Sequence, residues 1–161
     1  MEKINIMKKK VILEELKEIA SNLGKIMKGG EVIALLGNLG AGKTTFVKEF
    51  AKSLGIFENI KSPTFNYVLE YTSGRLPLYH FDVYRLDNSY EVYDTGYEEY
   101  INGDGVVVIE WADIIEEELP KSYIEVRLNY CEEENKREIE ITAVNNSELD
   151  KEIEKYVNTG N

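Results

Sequence analysis

The chain has 161 residues, 43% of them hydrophobic, and a net charge of −11 from 30 acidic and 19 basic side chains. This length suffices for one buried core and is too short for two, and the negative charge excludes unaided tracking of a polyphosphate backbone. The single cysteine, Cys131, excludes an internal disulfide. The sequence shows neither a signal peptide at its start nor an apolar run of the roughly 20 residues that cross a bilayer. A cytoplasmic, single-domain protein without membrane contact is predicted.

The first predicted elements are a helix and a strand. Apolar residues recur at helical spacing between residues 12 and 27, at Ile12, Leu16, Ile19, Ala20, Leu23, Ile26 and Met27. Gly29 and Gly30 end this helix. The apolar run from Val32 to Leu36 follows as a buried strand.

Residues 37 to 44 form the most informative motif. They read G-x-x-x-x-G-K-T, namely Gly37, Asn38, Leu39, Gly40, Ala41, Gly42, Lys43 and Thr44. Between a strand and a helix this is a phosphate-binding loop, whose backbone N–H groups surround an anion. Lys43 is expected to reach the β- and γ-phosphates, and the Thr44 hydroxyl to join the Mg2+ shell. The alternative is a glycine-rich turn that matches by chance, and the flanking strand and helix argue against it.

A predicted hairpin follows the loop helix. Its strands run from Phe65 to Tyr71 and from Leu76 to Phe81, so the sheet is expected to be mixed. Ser62, Pro63 and Thr64 precede it, where nucleotide switches carry a segment that senses the γ-phosphate. A proline turn that leads into the strand explains these residues equally well.

The end of this hairpin carries a candidate catalytic carboxylate. His80, Asp82 and Tyr84 alternate onto one face, and Arg85 follows where the strand ends. Asp82 is placed to take a proton from the attacking water or to orient it, directly or through Mg2+. His80 is interpreted as a packed, hydrogen-bonded residue without a catalytic role. Arg85 either pairs with a carboxylate or lies near phosphate.

A second carboxylate follows a buried strand. Val106 to Ile109 run directly into Glu110, which places it at the carboxyl end of a strand, where ligands gather in open α/β sheets. This arrangement is typical of a Walker B strand, with Glu in place of the more usual Asp. An exposed glutamate at the start of a loop is the alternative.

The remaining patterns complete the fold. Tyr123 to Tyr130 and Arg137 to Val144 alternate around a polar turn and predict a closing hairpin. The predicted class is α/β, a P-loop NTPase-like three-layer sandwich with a mixed, mostly parallel central sheet and antiparallel hairpins. Residues 1–146 are predicted to form a single P-loop NTPase domain, and residues 147–161 a polar C-terminal tail with a helical pattern.

Four tyrosines recur at helical spacing among acidic residues, at Tyr90, Tyr93, Tyr97 and Tyr100. Core packing is the preferred explanation of this stripe. A face that docks a partner is the alternative.

Four segments, in this order and at these separations, resemble the bacterial TsaE (YjeE) family: Leu39 to Thr45, Ser62 to Phe65, His80 to Leu86, and Glu110 with Trp111. The similarity extends from about Ile12 to Ala143. The family consists of small ATPases required to make N6-threonylcarbamoyladenosine beside the anticodon of tRNAs. The resemblance implies an ATPase that uses Mg2+ with ATP, is weak alone, and is stimulated by partners. Those partners are TsaB and TsaD, whose transferase complex it regulates or resets, and it meets tRNA only indirectly through that complex.

The resemblance also implies roles for particular residues. Lys43 holds the phosphates, Thr44 and Glu110 hold Mg2+, and Asp82 supports hydrolysis, so the implied catalytic residues are Asp82, Glu110 and Lys43. The implied nucleotide contacts are Asn38, Leu39, Gly40, Ala41, Gly42, Lys43, Thr44, Thr45 and Arg137, the last near the adenine. The implied switch or partner contacts are Thr64, Tyr84, Arg85 and Trp111. Asn38 stands where the family usually has an acidic residue, which bears on turnover more than on binding.

A kinase and a nucleotide-sensing subunit remain open as alternatives, whereas a GTPase is disfavoured. A small nucleotide or metabolite kinase uses the same loop but usually clamps its acceptor with several arginines and a lid, and this chain has four arginines in all. A GTPase needs a guanine-reading N-K-x-D; the nearest match, residues 135–138, has Glu138 in place of Asp and begins in the predicted hairpin turn, so it is interpreted as a coincidence. A subunit that senses nucleotide without hydrolysing it shares every feature above.

Overall fold

The computed structural model describes residues 7–38, 40–63 and 67–158. In these ranges seven strands form one sheet. They are β1 (Met7–Val11), β2 (Val32–Gly37), β3 (Val68–Tyr71), β4 (Leu78–Asp82), β5 (Val106–Glu110), β6 (Tyr123–Tyr130) and β7 (Arg137–Val144). Their order across the sheet is β1-β7-β6-β2-β5-β4-β3.

The centre of the sheet is parallel and its margins are antiparallel. The four central strands, β6, β2, β5 and β4, run parallel to one another. The strand β7 runs antiparallel to β6, and β3 runs antiparallel to β4. These pairings confirm the mixed sheet and the two predicted hairpins. Because four neighbouring strands share one direction, their carboxyl ends meet at one edge of the sheet.

Helices cover both faces of the sheet. The helices α1 (Leu13–Lys25) and α2 (Lys43–Ser53) pack on the first face, to which Leu35 points. Leu36 points to the second face, which is covered by α3 (Tyr97–Ile101) and by two 3₁₀ segments, Ser89–Thr95 and Ala112–Glu118. The two-residue period of a strand explains why neighbouring leucines enter different cores. The predicted three-layer α/β sandwich is confirmed.

The strand β1 is absent from the elements predicted from the sequence. Only its two end residues, Met7 and Val11, are buried, and three lysines lie between them. The strand pairs antiparallel with β7 at the edge of the sheet. Lys8 reaches Glu138 at 3.7 Å and Glu140 at 3.6 Å. A short, lysine-rich edge strand discourages pairing with another chain, and the same composition hides it from hydrophobic patterns.

The C-terminal segment packs onto the first face. It contains α4 (Ser147–Glu152) and a π-helical turn, Ile153–Val157. Although polar overall, it buries Ile153 and Val157 in the core that contains the α1 side chains. The Asp150 carboxylate accepts a hydrogen bond from the Ala143 backbone at 3.1 Å. These contacts attach the segment to the sheet.

The four tyrosines of the stripe lie within the Ser89–Thr95 segment and α3. Tyr97 is fully buried, and Tyr93 and Tyr100 pack partly buried against the second-face core. Tyr90 is 72% exposed. The core-packing interpretation is confirmed for three of the four rings. Among the described residues, no helix combines the length and the apolar composition that crossing a membrane requires.

Candidate functional site

Three parallel strands end side by side where the phosphate-binding loop begins. The strand β2 ends at Gly37, β4 at Asp82 and β5 at Glu110. Asp82 pairs in register with Glu110, and Glu110 pairs with Leu35 on the loop strand. Lys43 begins α2 directly after the loop. The sheet therefore brings the three predicted catalytic residues to one edge.

The first turn of α2 presents its backbone N–H groups without a cap. Its N-cap residue, Gly42, has a φ of 107° and offers no side-chain acceptor, and the first turn holds no acidic residue. The bond from Phe46 N to Gly42 O, at 2.9 Å, starts the helical series. The N–H groups of Lys43, Thr44 and Thr45 therefore lack helical acceptors. Such a terminus carries partial positive charge and is suited to a phosphate group.

Gly37 shapes the start of the loop because the backbone of β6 passes very close to it. Its φ is 120°, and a Cβ there would collide with the backbone carbonyl of Leu128. Gly37→Ala is expected to lower the free energy of unfolding by about 3 kcal/mol or more, since it adds backbone strain to a clash with another strand. The melting temperature should fall by about 6–12 °C in a thermal unfolding experiment.

Gly30→Ala is the matched control. Gly30 has a φ of 93°, but its nearest neighbour would lie 3.7 Å from the new Cβ. The control adds strain without a clash and should cost about 1 kcal/mol. Equal losses in the two variants would contradict the importance of the contact with Leu128.

Lys43 is buried behind the loop, with 5% of its surface exposed. Its ammonium donates a hydrogen bond to the Gly37 carbonyl at 3.3 Å and lies 4.5 Å from the centre of the Trp111 ring. Trp111 has a φ of 63°, which bulky residues rarely adopt, and its ring also packs on Tyr84 at 4.8 Å between centroids. The indole thus covers the lysine by a cation–π contact. The ammonium is held beside the loop before any phosphate arrives.

Glu110 is buried at the end of β5, with 7% of its surface exposed. The alternative of an exposed loop glutamate is therefore wrong. Its Oε2 lies 2.6 Å from His80 Nε2, and His80 is 2% exposed. The interpretation of His80 as a packed, hydrogen-bonded residue is confirmed, although its partner was not predicted. Glu110 Oε1 makes no hydrogen bond to any described residue.

Asp82 lies half-buried beside this pair. Burial raises the pKa of its carboxyl above the ordinary value of 3.8. The N–H of Tyr84 donates a hydrogen bond to Oδ1 at 3.0 Å, and this bond lowers the pKa. The Glu110 carboxylate raises the pKa further, while His80 and Lys43 lower it, and the net shift is upward. A carboxylate with a raised pKa accepts a proton more readily than an exposed aspartate does.

The raised pKa predicts how stability depends on pH. The folded chain holds the Asp82 proton more tightly than the unfolded chain, so stability falls as pH rises from 3.8 through the folded pKa. Asp82→Asn should therefore melt at a higher temperature than the unmodified protein at pH 7, and the difference should shrink toward pH 4. Melting curves of both proteins across this range measure the effect. A difference that is constant with pH would contradict the prediction.

Asn38 joins the loop to the end of β6 by hydrogen bonds. Its Oδ1 accepts a hydrogen bond from Tyr130 N at 2.9 Å, and its own N–H donates to the Leu128 carbonyl at 3.0 Å. The Ala41 N–H donates to the Asn38 carbonyl at 3.2 Å, which closes the turn of the loop. The side chain of Asn38 is thus engaged with the hairpin.

A pocket of about 330 Å³ adjoins the loop on the α1 side. Its walls come from the loop, the start of α1 and the β6–β7 turn, including Gly40, Thr45, Ile12, Leu13, Asn135 and Arg137. The Arg137 guanidinium lies 4.8 Å from the centre of the Tyr130 ring and donates to the carbonyls of Glu134 and Lys136. The volume is within the range of small-ligand sites.

The side chains beside the loop fit a Mg2+ ion that is shared with phosphates. Thr44 is exposed and its hydroxyl makes no hydrogen bond within the described ranges, and Glu110 offers its Oε1. No cluster of three or more His, Cys, Asp or Glu side chains that could hold a metal occurs in residues 7–38, 40–63 and 67–158. Mg2+ commonly uses one or two carboxylates together with substrate phosphates and water, so this donor set suits it.

Residues 12–139 match the family model "Threonylcarbamoyl adenosine biosynthesis protein TsaE". The chain belongs to the TsaE family. The TsaE protein of Bacillus subtilis (strain 168) is 45% identical over 150 residues, which cover 92% of this chain and 93% of that protein. The TsaE protein of Nostoc sp. is 46% identical over 127 residues, 76% of each chain. The crystal structure of the Bacillus protein YdiB superposes with a TM-score of 0.79 at 38% identity and covers 97% of both chains.

In this TsaE-family chain most of the predicted site residues lie around one edge of the sheet. Asp82 and Glu110 lie at strand ends, and Lys43 and Thr44 begin α2. Trp111 lies over Lys43 and packs on Tyr84, and Arg137 lines the α1-side pocket. The strand β4 ends at Asp82, so Tyr84 and the exposed Arg85 follow the strand. Leu39 and Thr64 lie outside the described residues. The roles of all these residues stay predictions.

Two further polar residues lie near the site without having been predicted for it. Arg127 and Asn129 line a pocket of about 200 Å³ that also includes Lys43, Trp111 and Asp113. Both residues alternate with buried positions on β6, which the sequence pattern does show. The pattern does not show that β6 lies next to the loop strand β2, so their position near Lys43 follows only from the sheet order.

Proposed function

We propose that this chain binds ATP with Mg2+ and hydrolyses it in the cytoplasm, in support of threonylcarbamoyladenosine modification of tRNA. Membership of the TsaE family supports the pathway. The observation that supports nucleotide binding is the uncapped first turn of α2, which begins at the buried Lys43. Two carboxylates, of Asp82 and Glu110, pair in register at the same edge of the sheet. A helix terminus of this kind is an anion site.

We assign each residue of the site a role according to its position. The loop amides and Lys43 bind the β- and γ-phosphates, and Thr44 with Glu110 holds Mg2+. Held by Thr44 and Glu110, Mg2+ would supply positive charge to the phosphate oxygens. Asp82, with its raised pKa, orients the attacking water and accepts its proton. Trp111 and Tyr84 shield the ammonium of Lys43 from bulk water.

The α1-side pocket is proposed as the base site. It adjoins the loop at Gly40 and Thr45, and it includes apolar surface from Ile12 and Leu13, which are 38% and 52% exposed. An aromatic base would cover this apolar surface. Arg137 lines the same pocket and pairs in register with Val11, and we propose that it lies near the adenine.

Contact with tRNA is assigned to partners, for which we propose TsaB and TsaD. Residues 87–118 hold eleven Asp or Glu and no Lys, Arg or His, so this segment alone accounts for the whole net charge of −11. Its helices form the layer on the second face of the sheet. Glu110 is buried, and the other acidic side chains of the segment make a surface that repels RNA and attracts a positively charged protein surface.

Calorimetric titration with ATP in the presence of Mg2+ tests the binding step. We expect saturable binding that weakens when EDTA removes the ion, and weaker binding of GTP. Phosphate release is then measured with and without TsaB and TsaD, and we expect slow release alone and faster release with the partners. No binding of ATP under either condition would contradict the proposal.

The reaction product separates hydrolysis from the alternatives. Inorganic phosphate as the only labelled product of γ-labelled ATP supports an ATPase. A labelled organic product would support the kinase alternative, with the pocket of Arg127 and Asn129 as its acceptor site. Tight binding without turnover, even with the partners, would support a nucleotide-sensing subunit.

A further inference from the structure

His80 makes a short and fully enclosed contact with the carboxylate proposed to hold Mg2+. His80 Nε2 lies 2.6 Å from Glu110 Oε2, and the two side chains are 2% and 9% exposed. His80 stands on β4, two residues before Asp82, and pairs in register with Val108 on β5. The contact therefore joins the two strands whose ends carry both functional carboxylates.

The hydrogen bonding of the imidazole assigns its tautomer. His80 Nδ1 is buried and has no hydrogen-bond partner among the described residues. A proton on Nδ1 would leave a buried N–H unsatisfied, whereas a proton on Nε2 is accepted by the carboxylate. The Nε2–H tautomer, which donates to Glu110 Oε2, is the one that the surroundings favour.

The two carboxylate oxygens of Glu110 differ in their hydrogen bonding. Oε2 is occupied by His80, while Oε1 makes no hydrogen bond to any described residue. A glutamate side chain has three rotatable bonds, so a carboxylate at its end needs an external contact to keep one orientation. The imidazole supplies that contact from within the core.

We propose that His80 is a positioning residue, which holds Glu110 by Oε2 so that Oε1 faces the divalent cation bound with the nucleotide. The inference rests on the proposed function and assigns to His80 a part in it. Partners of this kind, which hydrogen-bond a metal ligand without touching the metal, commonly change metal affinity by about 10–100-fold when removed.

Packing alone is a poor explanation of this histidine. An apolar residue of similar size fills a buried site without leaving a polar atom such as Nδ1 unpaired, and buried polar pairs are weak evidence for stability. The leucine variant His80→Leu should therefore still fold, while the Glu110 carboxylate loses the only hydrogen-bond donor that it has among the described residues.

The test compares variants by their affinity for Mn2+ in the presence of ADP, measured by electron paramagnetic resonance. His80→Leu should weaken Mn2+ binding by about 10-fold or more. His80→Gln should restore most of the affinity, because its amide nitrogen reaches the position of Nε2. His80→Asn, whose amide is one bond shorter, should resemble the leucine variant. Binding of ADP in EDTA should stay within about twofold in all three, since the loop amides and Lys43 are unchanged.

Leu78→Val is the structural control, since Leu78 is a fully buried residue on the same strand and pairs with Val106, four residues before Glu110. It should lower the melting temperature without changing Mn2+ affinity. In a Glu110→Gln background, His80→Leu should have little further effect on Mn2+ affinity, because the two residues act as one unit.

Two results would overturn the inference: Mn2+ affinity within twofold of the unmodified protein in His80→Leu, or equal affinities in the glutamine and asparagine variants. Should His80→Leu fail to fold, the comparison of the glutamine and asparagine variants decides the question. If the unmodified protein itself binds no nucleotide with Mn2+, the proposed function fails, and that outcome is distinct from a failure confined to His80.

Discussion

Lys43→Ala should weaken the binding of ATP with Mg2+ by about a hundredfold or more. Lys43 is buried, and the only hydrogen bond of its ammonium among the described residues is to the Gly37 carbonyl at 3.3 Å. Hydrogen bonds between charged groups contribute about 1.5–3 kcal/mol each, so losing contacts to two phosphates costs at least about 3 kcal/mol of binding free energy. Isothermal titration calorimetry at constant salt measures the change.

The control for this variant removes the same charge from the same helix. Lys48 is exposed on α2, one turn beyond the loop, and lines neither pocket beside the loop. Lys48→Ala should bind ATP within about threefold of the unmodified protein, because an exposed charge at this distance is largely screened. If both variants lose affinity equally, the effect is one of net charge, and the loop lysine has no special place in the site.

The sequence predicts those parts of the fold that depend on local patterns. The hairpin of β6 and β7 has the predicted bounds because its alternation is uninterrupted on both sides of a polar turn. The loop and the strand before it are predicted because the motif requires its glycines and its lysine at fixed spacing. The strand β1 is not predicted, because its three lysines hide the alternation and only its pairing with β7 makes it a strand.

The part of the site that the sequence does not predict depends on which strands are neighbours in the sheet. His80 and Glu110 are 30 residues apart in sequence, and their contact exists because β4 and β5 pair in parallel with His80 opposite Val108. A single sequence shows that each residue lies near a strand end, but the register between two strands is set by packing across the whole sheet. The same limit applies to Arg127, whose strand adjoins the loop strand only in the assembled order.

The left-handed backbone of Trp111 is also beyond the reach of sequence patterns. A tryptophan directly after a buried strand favours a core position by composition alone. The structure instead gives it a φ of 63° and a ring 4.5 Å from the Lys43 ammonium. Strained backbone of this kind persists where surrounding contacts maintain it, and it is concentrated at functional sites.

The second large effect is expected for Asp82→Asn. The variant should reduce ATP turnover, measured with TsaB and TsaD present, by about 10²–10⁴-fold, the contribution typical of a general base. ATP affinity should stay within about threefold, because the loop amides, Lys43 and Glu110 supply the phosphate and metal contacts. Phosphate release and calorimetry on the same preparation measure the two quantities.

Stability separates this loss from damage to the fold. Because burial raises the pKa of Asp82, the asparagine variant is expected to be more stable than the unmodified protein at neutral pH while being less active. Asp87→Asn removes an equal charge from an exposed position five residues later and should change neither turnover nor affinity. Full turnover in Asp82→Asn would exclude Asp82 from proton transfer. A joint loss of affinity and turnover would instead assign Asp82 to the metal shell beside Glu110, since only a group that binds the ion in the ground state changes both.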